Sequence, residues 1–442
     1  MLRTEERPAG RFFYGWWIVG ASFVVLLVTV GVGLYAPPVF LVPLQEEFGW
    51  SRAAIAGGSA LAAVMVGIAS PLVGVWIDRY GSRSVMTAGA LVMATAFALL
   101  GLVTALWQLY ALNLAAALGM ACVAWIPNQT LISNWFDRKR GRAMGIALAG
   151  IGFGGMAMAP VAGLLNDRLG WRLAFGCLSA LIFFVVIPVT LVLVRSRPAD
   201  LDLLPDGDPP RSGPAESTND GEVDAPVVPG LTLAEAVRSR AFWVLSLGQC
   251  LWTFGSMSVI GHLVAFLRDV GFEGSFAASL LGVAIGISIV GRLIFGHFAD
   301  QFSKRSILVA ALLIHGASVF CLLGIQLPGA LPAFVTLFGL GIGGGAVLIP
   351  LLVGECFGLL SFGRILGMVT ISATVGAAVG PVLTGWIYDR TGEYQVAFLL
   401  HIAAFSAAAI VISLLRRPPG MLAPAVTGEL LASAGGSERE VT

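Results

Sequence analysis

Twelve apolar stretches, each long enough to cross a bilayer, constrain this chain more than anything else in it. They fall near residues 14–36, 53–77, 84–106, 108–133, 143–165, 172–194, 242–267, 277–299, 306–326, 331–353, 365–387 and 395–415. A hydrocarbon core of about 30 Å takes about 20 helical residues. Inside lipid every backbone N–H and C=O needs a partner within the segment, which leaves helices for runs of this kind. Only 12% of the residues are charged and 57% are hydrophobic, against about 25% charged in soluble domains. The expectation is an all-α membrane protein of twelve transmembrane helices. A basic arm precedes the first run, but that run is too long for the apolar core of a signal peptide and reads as an uncleaved span. The five cysteines lie in or at the ends of spans without a CxxC pair; they read as small packing residues.

Composition divides the chain. Residues 1–194 hold six spans. Residues 195–240 contain PADLDLLPDGDPPRSGPAESTNDGEVDAP, acidic and rich in Pro, Gly and Ser, which buries no core and reads as a flexible linker. The following LTLAEAVRSRAFW reads as a short surface helix leading into span seven. Residues 241–417 hold six more spans, and 418–442 form a polar tail expected to be disordered.

The two sets of six repeat. GVWIDRYGSR, with Gly74, Asp78 and Arg83, matches GHFADQFSKR, with Gly296, Asp300 and Arg305, at an offset of 222 residues. The same offset relates GRAMG (Gly141–Gly145) to GRILG (Gly363–Gly367), and Asp167–Arg168 to Asp389–Arg390. One shared offset at three loops indicates duplicated six-helix units. Six is even, so both units enter the membrane in the same sense and form two pseudo-symmetric bundles related by an axis along the membrane normal. With both termini on one side, that side carries 20 of the 26 Lys and Arg residues. The positive-inside rule makes it cytoplasmic and places the protein as a multi-pass chain in the cell (inner) membrane.

Asp78 and Asp300 each close a helix beside cations that can pair with another helix end in one conformation and release it in a second. Asp78, Arg79, Arg83, Arg142, Asp300, Lys304, Arg305 and Arg364 are therefore candidate gating residues. Positive-inside topology alone would explain basic loops; recurrence with the repeat argues for a conformational role.

One cation stands apart. Arg292 lies within span eight, eight residues before Asp300 and so about 12 Å along the axis from the charged end. At that depth a guanidinium costs at least about 2.5–3.5 kcal/mol. Residues of this kind face wet cavities or anions; the alternative is a cation that snorkels to a helix end. Subtracting the repeat offset from Arg292 gives Ser70, so the fold does not ask for a cation in both copies. Arg292 is the candidate substrate ligand, and a small carboxylate is the matching partner. Tyr35, Trp125 and Asn128 are candidate orienting groups, the last two sharing a helical face. His262, Asp269 and Glu355 are candidate proton-coupling groups, and His262 is also a candidate substrate contact.

The loop with Gly74, Asp78, Arg79, Gly81 and Arg83, and its weaker copy, resembles the signature loop of the major facilitator superfamily. Tyr14-Gly-Trp-Trp17 and the stretch from Asn134 to Gly155, NWFDRKRGRAMGIALAGIGFGG, resemble the entry motifs of its monocarboxylate transporter and oxalate:formate antiporter branch. That branch has an arginine in span eight that meets the substrate carboxylate, and Arg292 stands at the matching place. Two departures bear on function. The oxalate antiporter has a lysine in span eleven, where this chain reads MVTISATVGAAVGPVLTGWIY; one cation suits one carboxylate. Animal monocarboxylate carriers place an aspartate one turn before the arginine, where this chain has Ser288.

Several matches do not hold. Gly150, Gly152 and Gly155 satisfy GxGxxG, but no strand precedes them and they lie in a membrane helix; they read as helix-packing glycines. There is no Walker lysine, no metal-ligand spacing and no nucleophile–base pair, so the chain is expected to be neither an enzyme nor a cofactor, metal or nucleic-acid binder. The expected function is secondary active transport of small monocarboxylates by a proton-coupled, monomeric protein. Carboxylate/carboxylate exchange is the alternative, and a non-transporting receptor a more distant one.

Overall fold

The computed structural model describes residues 13–50, 52–201, 203–207, 230–272 and 274–418. Of the expected flexible linker, 195–240, the two ends are described: Asp206 accepts from the backbone N–H groups of Asp137 and Arg138, and Leu231 donates to the Phe357 carbonyl; residues 202 and 208–229, and 419–442 of the tail, lie outside the described residues.

Among the described residues eleven helical stretches are long and apolar enough to cross a membrane. The count of twelve is recovered because one of them, α3, contains two spans. The first span is α1 (Gly15–Val30), which continues through a π-helical turn (Gly31–Tyr35) and a 3-10 turn (Pro37–Phe40) into α2 (Leu41–Phe48). Pro37 and Pro38 offer no N–H to the helical ladder, which accounts for the irregular passage. Spans two and three form α3 (Arg52–Leu100), broken at Gly81 with φ 78° and ψ 154°. That combination is nearly closed to residues with a Cβ, so Gly81 is the hinge residue of the signature loop. Span four is α4 (Leu106–Val123) and α5 (Trp125–Trp135), interrupted at Ala124; span five is α6 (Arg140–Leu169). Span six is α7 (Trp171–Leu181) and α8 (Ile187–Val192), joined by a π turn. A short helix, α9 (Leu233–Arg238), begins with a capping box in which Glu235 and Thr232 bond each other's backbone. The second half is α10 (Arg240–Asp269), α11 (Gly274–Ala299), α12 (Lys304–Leu323), α13 (Ala330–Phe357), α14 (Phe362–Thr391) and α15 (Gln395–Ser413).

The pairings repeat as the sequence does. In the first half α3 packs along α4, α1 along α6 and α3 along α7; in the second, α11 along α13, α10 along α14 and α12 along α15. Glycines let backbones meet. A Cβ on Gly150 or Gly154 would stand 2.3 or 2.4 Å from the α1 carbonyls of Phe23 and Leu27. Gly150 and Gly154 thus pack helix on helix, as small residues do in membrane bundles generally, while Gly152 and Gly155 face the side chains of Ile289 and Tyr35.

The halves meet along two seams, α6 with α11 and α3 with α14. At the end that carries the linker both are closed backbone to backbone. A Cβ on Gly141 would lie 2.4 Å from the Gly296 carbonyl oxygen, and one on Gly74 would lie 2.3 Å from that of Gly363. These contacts are images of each other under the repeat offset. About three turns beyond Gly152 on the same face of α6, a Cβ on Gly163 would meet nothing within 4 Å, nor would one on Gly282 of α11. The α6–α11 seam is zipped at the linker end and parted at the other, while along the α3–α14 seam a Cβ on Gly67 would still lie 2.5 Å from Thr374.

Overpacking a tight contact costs about 1–3 kcal/mol, so Gly141→Val should disfavour the zipped arrangement by roughly that amount. Spin labels on Arg79→Cys and Gln301→Cys, in a background without the native cysteines, should report a longer mean distance in Gly141→Val. An unchanged distribution would show that the seam is not under this constraint.

Candidate functional site

At the linker end two carboxylates hold the seams shut by different means. Asp300, just past α11, accepts hydrogen bonds from the backbone N–H groups of Gly141 (2.6 Å) and Arg142 (2.8 Å) in the first turn of α6. A carboxylate at a helix N-terminus meets unsatisfied donors and the favourable end of the dipole. Its counterpart Asp78 faces a side chain: Oδ2 lies 2.9 Å from Arg364 Nε, an ion pair without the alignment of a hydrogen bond. Arg142 thus contributes its backbone and Arg364 its guanidinium.

The other candidate gating residues stay within their own halves. Arg83 donates to the Leu191 carbonyl at 2.5 Å and Arg305 to the Leu415 carbonyl at 2.9 Å, each fixing the last span of its bundle. Arg79 stacks over Tyr80. Lys304 pairs with Glu355 at 3.1 Å.

Arg292 lies deeper in the α6–α11 seam. Its backbone N packs on Gly343 of α13 and its carbonyl on Gly145 of α6. The residue is 5% exposed, so the guanidinium does not snorkel to the surface. Nη1 lies 3.1 Å from where a Cβ on Gly152 would stand, and one turn along α6 the ring of Tyr35 lies 3.1 Å from the same point on Gly155. Two glycines of α6 make the room that a cation and a phenol fill. Tyr35 ends the π turn, a local widening of the helix that recurs at functional sites, and its hydroxyl is within electrostatic range of Arg292.

Two charged side chains are buried among the described residues, Arg140 and Arg292. Arg140 is served: Nε donates to the Phe136 carbonyl at 2.9 Å and Nη2 lies 3.4 Å from Asp137. Arg292 is not: Nε and Nη1 are buried with no partner. Buried charge without a partner costs several kcal/mol. Ser70, the repeat image of Arg292, bonds its own helix at Val66, while Gly367 packs on its carbonyl as Gly145 packs on that of Arg292. The backbone contact is duplicated; the cation is not.

The remaining candidates are placed as follows. The amide of Asn128 donates to the carbonyls of Val123 (2.8 Å) and Ala124 (2.5 Å), bracing the α4–α5 break, and leaves Oδ1 buried and unpaired. Trp125 is half-buried on the same helix, which touches both α13 and α14 across the interface. His262 bonds within the second half, with Nε2 2.9 Å from the Pro381 carbonyl and Nδ1 3.3 Å from the Tyr394 hydroxyl. A carbonyl only accepts, so Nε2 carries a proton. Asp269 lies near Tyr388 within the second half, and Glu355 also binds Arg417 at 2.6 Å. Ser288 bonds its own helix at Ile285. Sequence reading passed over Gln249 in α10, whose Oε1 is buried and unpaired. The signal was there: Ser246, Gln249, Thr253 and Ser256 form a polar stripe at spacings of three and four in an apolar span, the pattern of one helix face.

The sequence matches the Major Facilitator Superfamily profile over residues 21–354 and 288–436. The chain belongs to this superfamily. Among proteins similar to it, monocarboxylate transporter 11 of Homo sapiens is 31% identical, the match covering 95% of this chain and 88% of that protein. Monocarboxylate transporter 12 of Mus musculus is 27% identical over 91% and 85%. In fold the chain is similar to the proton:xylose symporter XylE (TM-score 0.69, 13% identity, covering 92% of this chain and 97% of that one). It is also similar to the Escherichia coli fucose:proton symporter FucP (TM-score 0.67, 16% identity, 91% and 100%). As a major facilitator protein the chain is a multi-pass membrane transporter and not an enzyme.

The latch carries a pH signature. Burial holds the Asp300 carboxyl above the usual carboxylate range, against the opposing pull of the Arg142 and Gly141 amides and of Lys304. The zipped arrangement therefore holds more protons at Asp300 than one in which it is solvated. Acidification through the raised pKa favours the zipped form, and the gain fades as pH rises above it. The Arg79–Gln301 label pair should shift toward shorter distances as pH falls through the raised pKa, and less so in Asp300→Asn; equal shifts in both would exclude Asp300 as the source.

Proposed function

We propose that this transporter carries small monocarboxylates by alternating access, with Arg292 binding the carboxylate at the seam between the halves. The observation that carries this reading is the buried, unpartnered guanidinium of Arg292 in a superfamily member similar to monocarboxylate transporters. Guanidinium and carboxylate match in charge and in two-point geometry. Bound together they are neutral, which lowers the barrier to reorganising the seam around them. The linker end is cytoplasmic in this reading, since most of the basic residues lie there. The described conformation is then closed to the cytoplasm, with Asp300 and Asp78 as the groups released when the halves rock.

Coupling to a proton is the first form of the proposal, with His262, Asp269 or Glu355 as the group that carries it. Exchange of one carboxylate for another is the second. It is favoured by the placement of His262, Asp269 and Glu355, each engaged within the second half. An exchanger needs one fixed cation and no titrating group.

Removing a charged hydrogen-bonding partner costs about 1.5–3 kcal/mol, so Arg292→Ala should lower carboxylate uptake into proteoliposomes by roughly 10- to 150-fold with normal reconstitution. Arg292→Lys should stay well below wild type, because a point charge loses the planar fork. Uptake near wild type in Arg292→Ala would remove the carboxylate reading. Uptake driven by an imposed proton gradient into empty vesicles marks symport; a requirement for internal unlabelled acid marks exchange.

A further inference from the structure

The starts of α6 and α14 are images of each other under the repeat offset, and the first shows what such a start binds. Two carboxylates serve α6. Asp206 accepts from the backbone N–H groups of Asp137 (3.1 Å), Arg138 (2.6 Å) and Lys139 (3.4 Å). Asp300 accepts from those of Gly141 and Arg142. Amides at a helix start take up an anion through their free donors and the helix dipole.

At α14 both carboxylates are missing from this role. The corresponding amides belong to Leu359, Leu360, Ser361, Gly363 and Arg364, and no carboxylate among the described residues accepts from them. Where the first half brings Asp206, the second brings Gly230. A Cβ on Gly230 would lie 2.7 Å from the Leu360 nitrogen and 3.1 Å from that of Leu359. Where Asp300 meets amides, Asp78 meets the Arg364 side chain.

A cavity lies at this place. It measures about 580 Å³ and is lined by Thr232, Leu233, Val237, Arg238, Ser361 and Arg364. Ser361 heads α14 without capping it and is only 6% exposed, yet its hydroxyl has no hydrogen-bond partner among the described residues. A buried hydroxyl without a partner asks for one from the cavity. Arg238 forms no ion pair among the described residues, and the pair of Arg364 with Asp78 engages Nε. Glu235, the one carboxylate of α9, is bonded to Thr232. Two guanidinium groups, a hydroxyl and a helix start suit a dianion, and a phosphate monoester meets two arginines through separate oxygens. Leu233 and Val237 give the cavity an apolar wall for the ester group.

We propose that the start of α14 is a binding site for a phosphate monoester carried on an apolar group, held by Arg238, Arg364 and Ser361. The site lies at the linker end, apart from Arg292, and does not depend on what Arg292 binds. Its ligand draws on the guanidinium that pairs with Asp78 across the α3–α14 seam, so an occupied site loosens that seam. The indole of Trp243, 61% exposed, donates to the Val237 carbonyl at 2.9 Å. Exposed tryptophan marks the headgroup level of a bilayer, where basic pockets meet lipid phosphates. A lipid headgroup and a soluble ester thus offer the same chemistry.

The probe is phenyl phosphate, titrated by calorimetry into full-length purified protein in a sugar-based detergent. Wild type should bind it at a single site, and inorganic phosphate more weakly, because that leaves the apolar wall uncovered. Arg238→Gln should weaken binding by about tenfold or more and Ser361→Ala by about fivefold. Arg292→Ala should leave it within about twofold, as a distant site. Saturating phenyl phosphate should lengthen the mean Arg79–Gln301 label distance; an unmoved distribution overturns the effect on the seam. Phosphatidylcholine nanodiscs with and without phosphatidic acid separate the sources. Competition by phosphatidic acid supports a lipid headgroup, and binding indifferent to it supports a soluble ester. Wild-type protein that does not bind phenyl phosphate overturns the proposal, a result that needs no variant to fold. Binding that survives Arg238→Gln unchanged overturns it too, and its loss in Arg292→Ala would then place the probe at the seam.

Discussion

A permanent charge held away from water, with two of its nitrogens unanswered, is the constraint around which this molecule is arranged. Arg292 cannot shed its proton as a buried lysine can, so the surroundings must accept the charge or a ligand must. The protein commits a good deal of its geometry to this one group. Backbone contacts with Gly145 and Gly343 hold the arginine backbone from both sides. Gly152 clears the space that Nη1 occupies, and the π turn at the end of span one brings Tyr35 alongside. Arg140 shows what the same side chain looks like when its task is to hold structure: buried to a similar degree, yet bonded to the carbonyl one turn before it.

The duplicated halves act as an internal control. Wherever a contact appears in both copies, the scaffold accounts for it. The glycine crossings at Gly141 and Gly74, the carbonyl packing at Arg292 and Ser70, and the clamps of Arg83 and Arg305 onto the last span of each bundle all occur twice. What occurs once is the chemistry: the guanidinium of Arg292 and the polar stripe of α10. Membrane helices gain little from burying apolar surface against each other, since lipid is equally apolar, so close small-residue contacts carry the assembly. Function is then free to differ between the copies at side chains the scaffold does not use.

Much of this was legible in the amino-acid sequence because hydrophobic length and charge placement act locally. The twelve spans, the repeat and the isolation of Arg292 follow from counting along the chain. The continuity of spans two and three as one broken helix was hidden, because Gly81 looks like an ordinary loop glycine until its backbone angles are known. The division of the basic loop residues was hidden too. Arg83 and Arg364 have the same composition and similar settings, and only the fold shows that one clamps its own bundle while the other crosses to Asp78. Asn128 reads as a cavity residue by its helical face, yet most of its hydrogen bonding braces the break at Ala124. Gln249 was overlooked because an uncharged amide does not stand out in a long apolar run, although its neighbours at three- and four-residue spacing mark the face.

The unlike latches at Asp78 and Asp300 leave the two seams unequal under mutation. The bond of Asp78 depends on two codons, because either the carboxylate or the guanidinium of Arg364 can be replaced. The bonds of Asp300 depend on one, because the main-chain amide of Arg142 persists through every substitution but proline, while the glycine crossings at Gly141 and Gly74 constrain both seams alike. Drift in the charged residues can therefore loosen the first seam from both sides and the second from only one. A lineage tuning its turnover has a soft screw and a hard stop at the same end of the molecule.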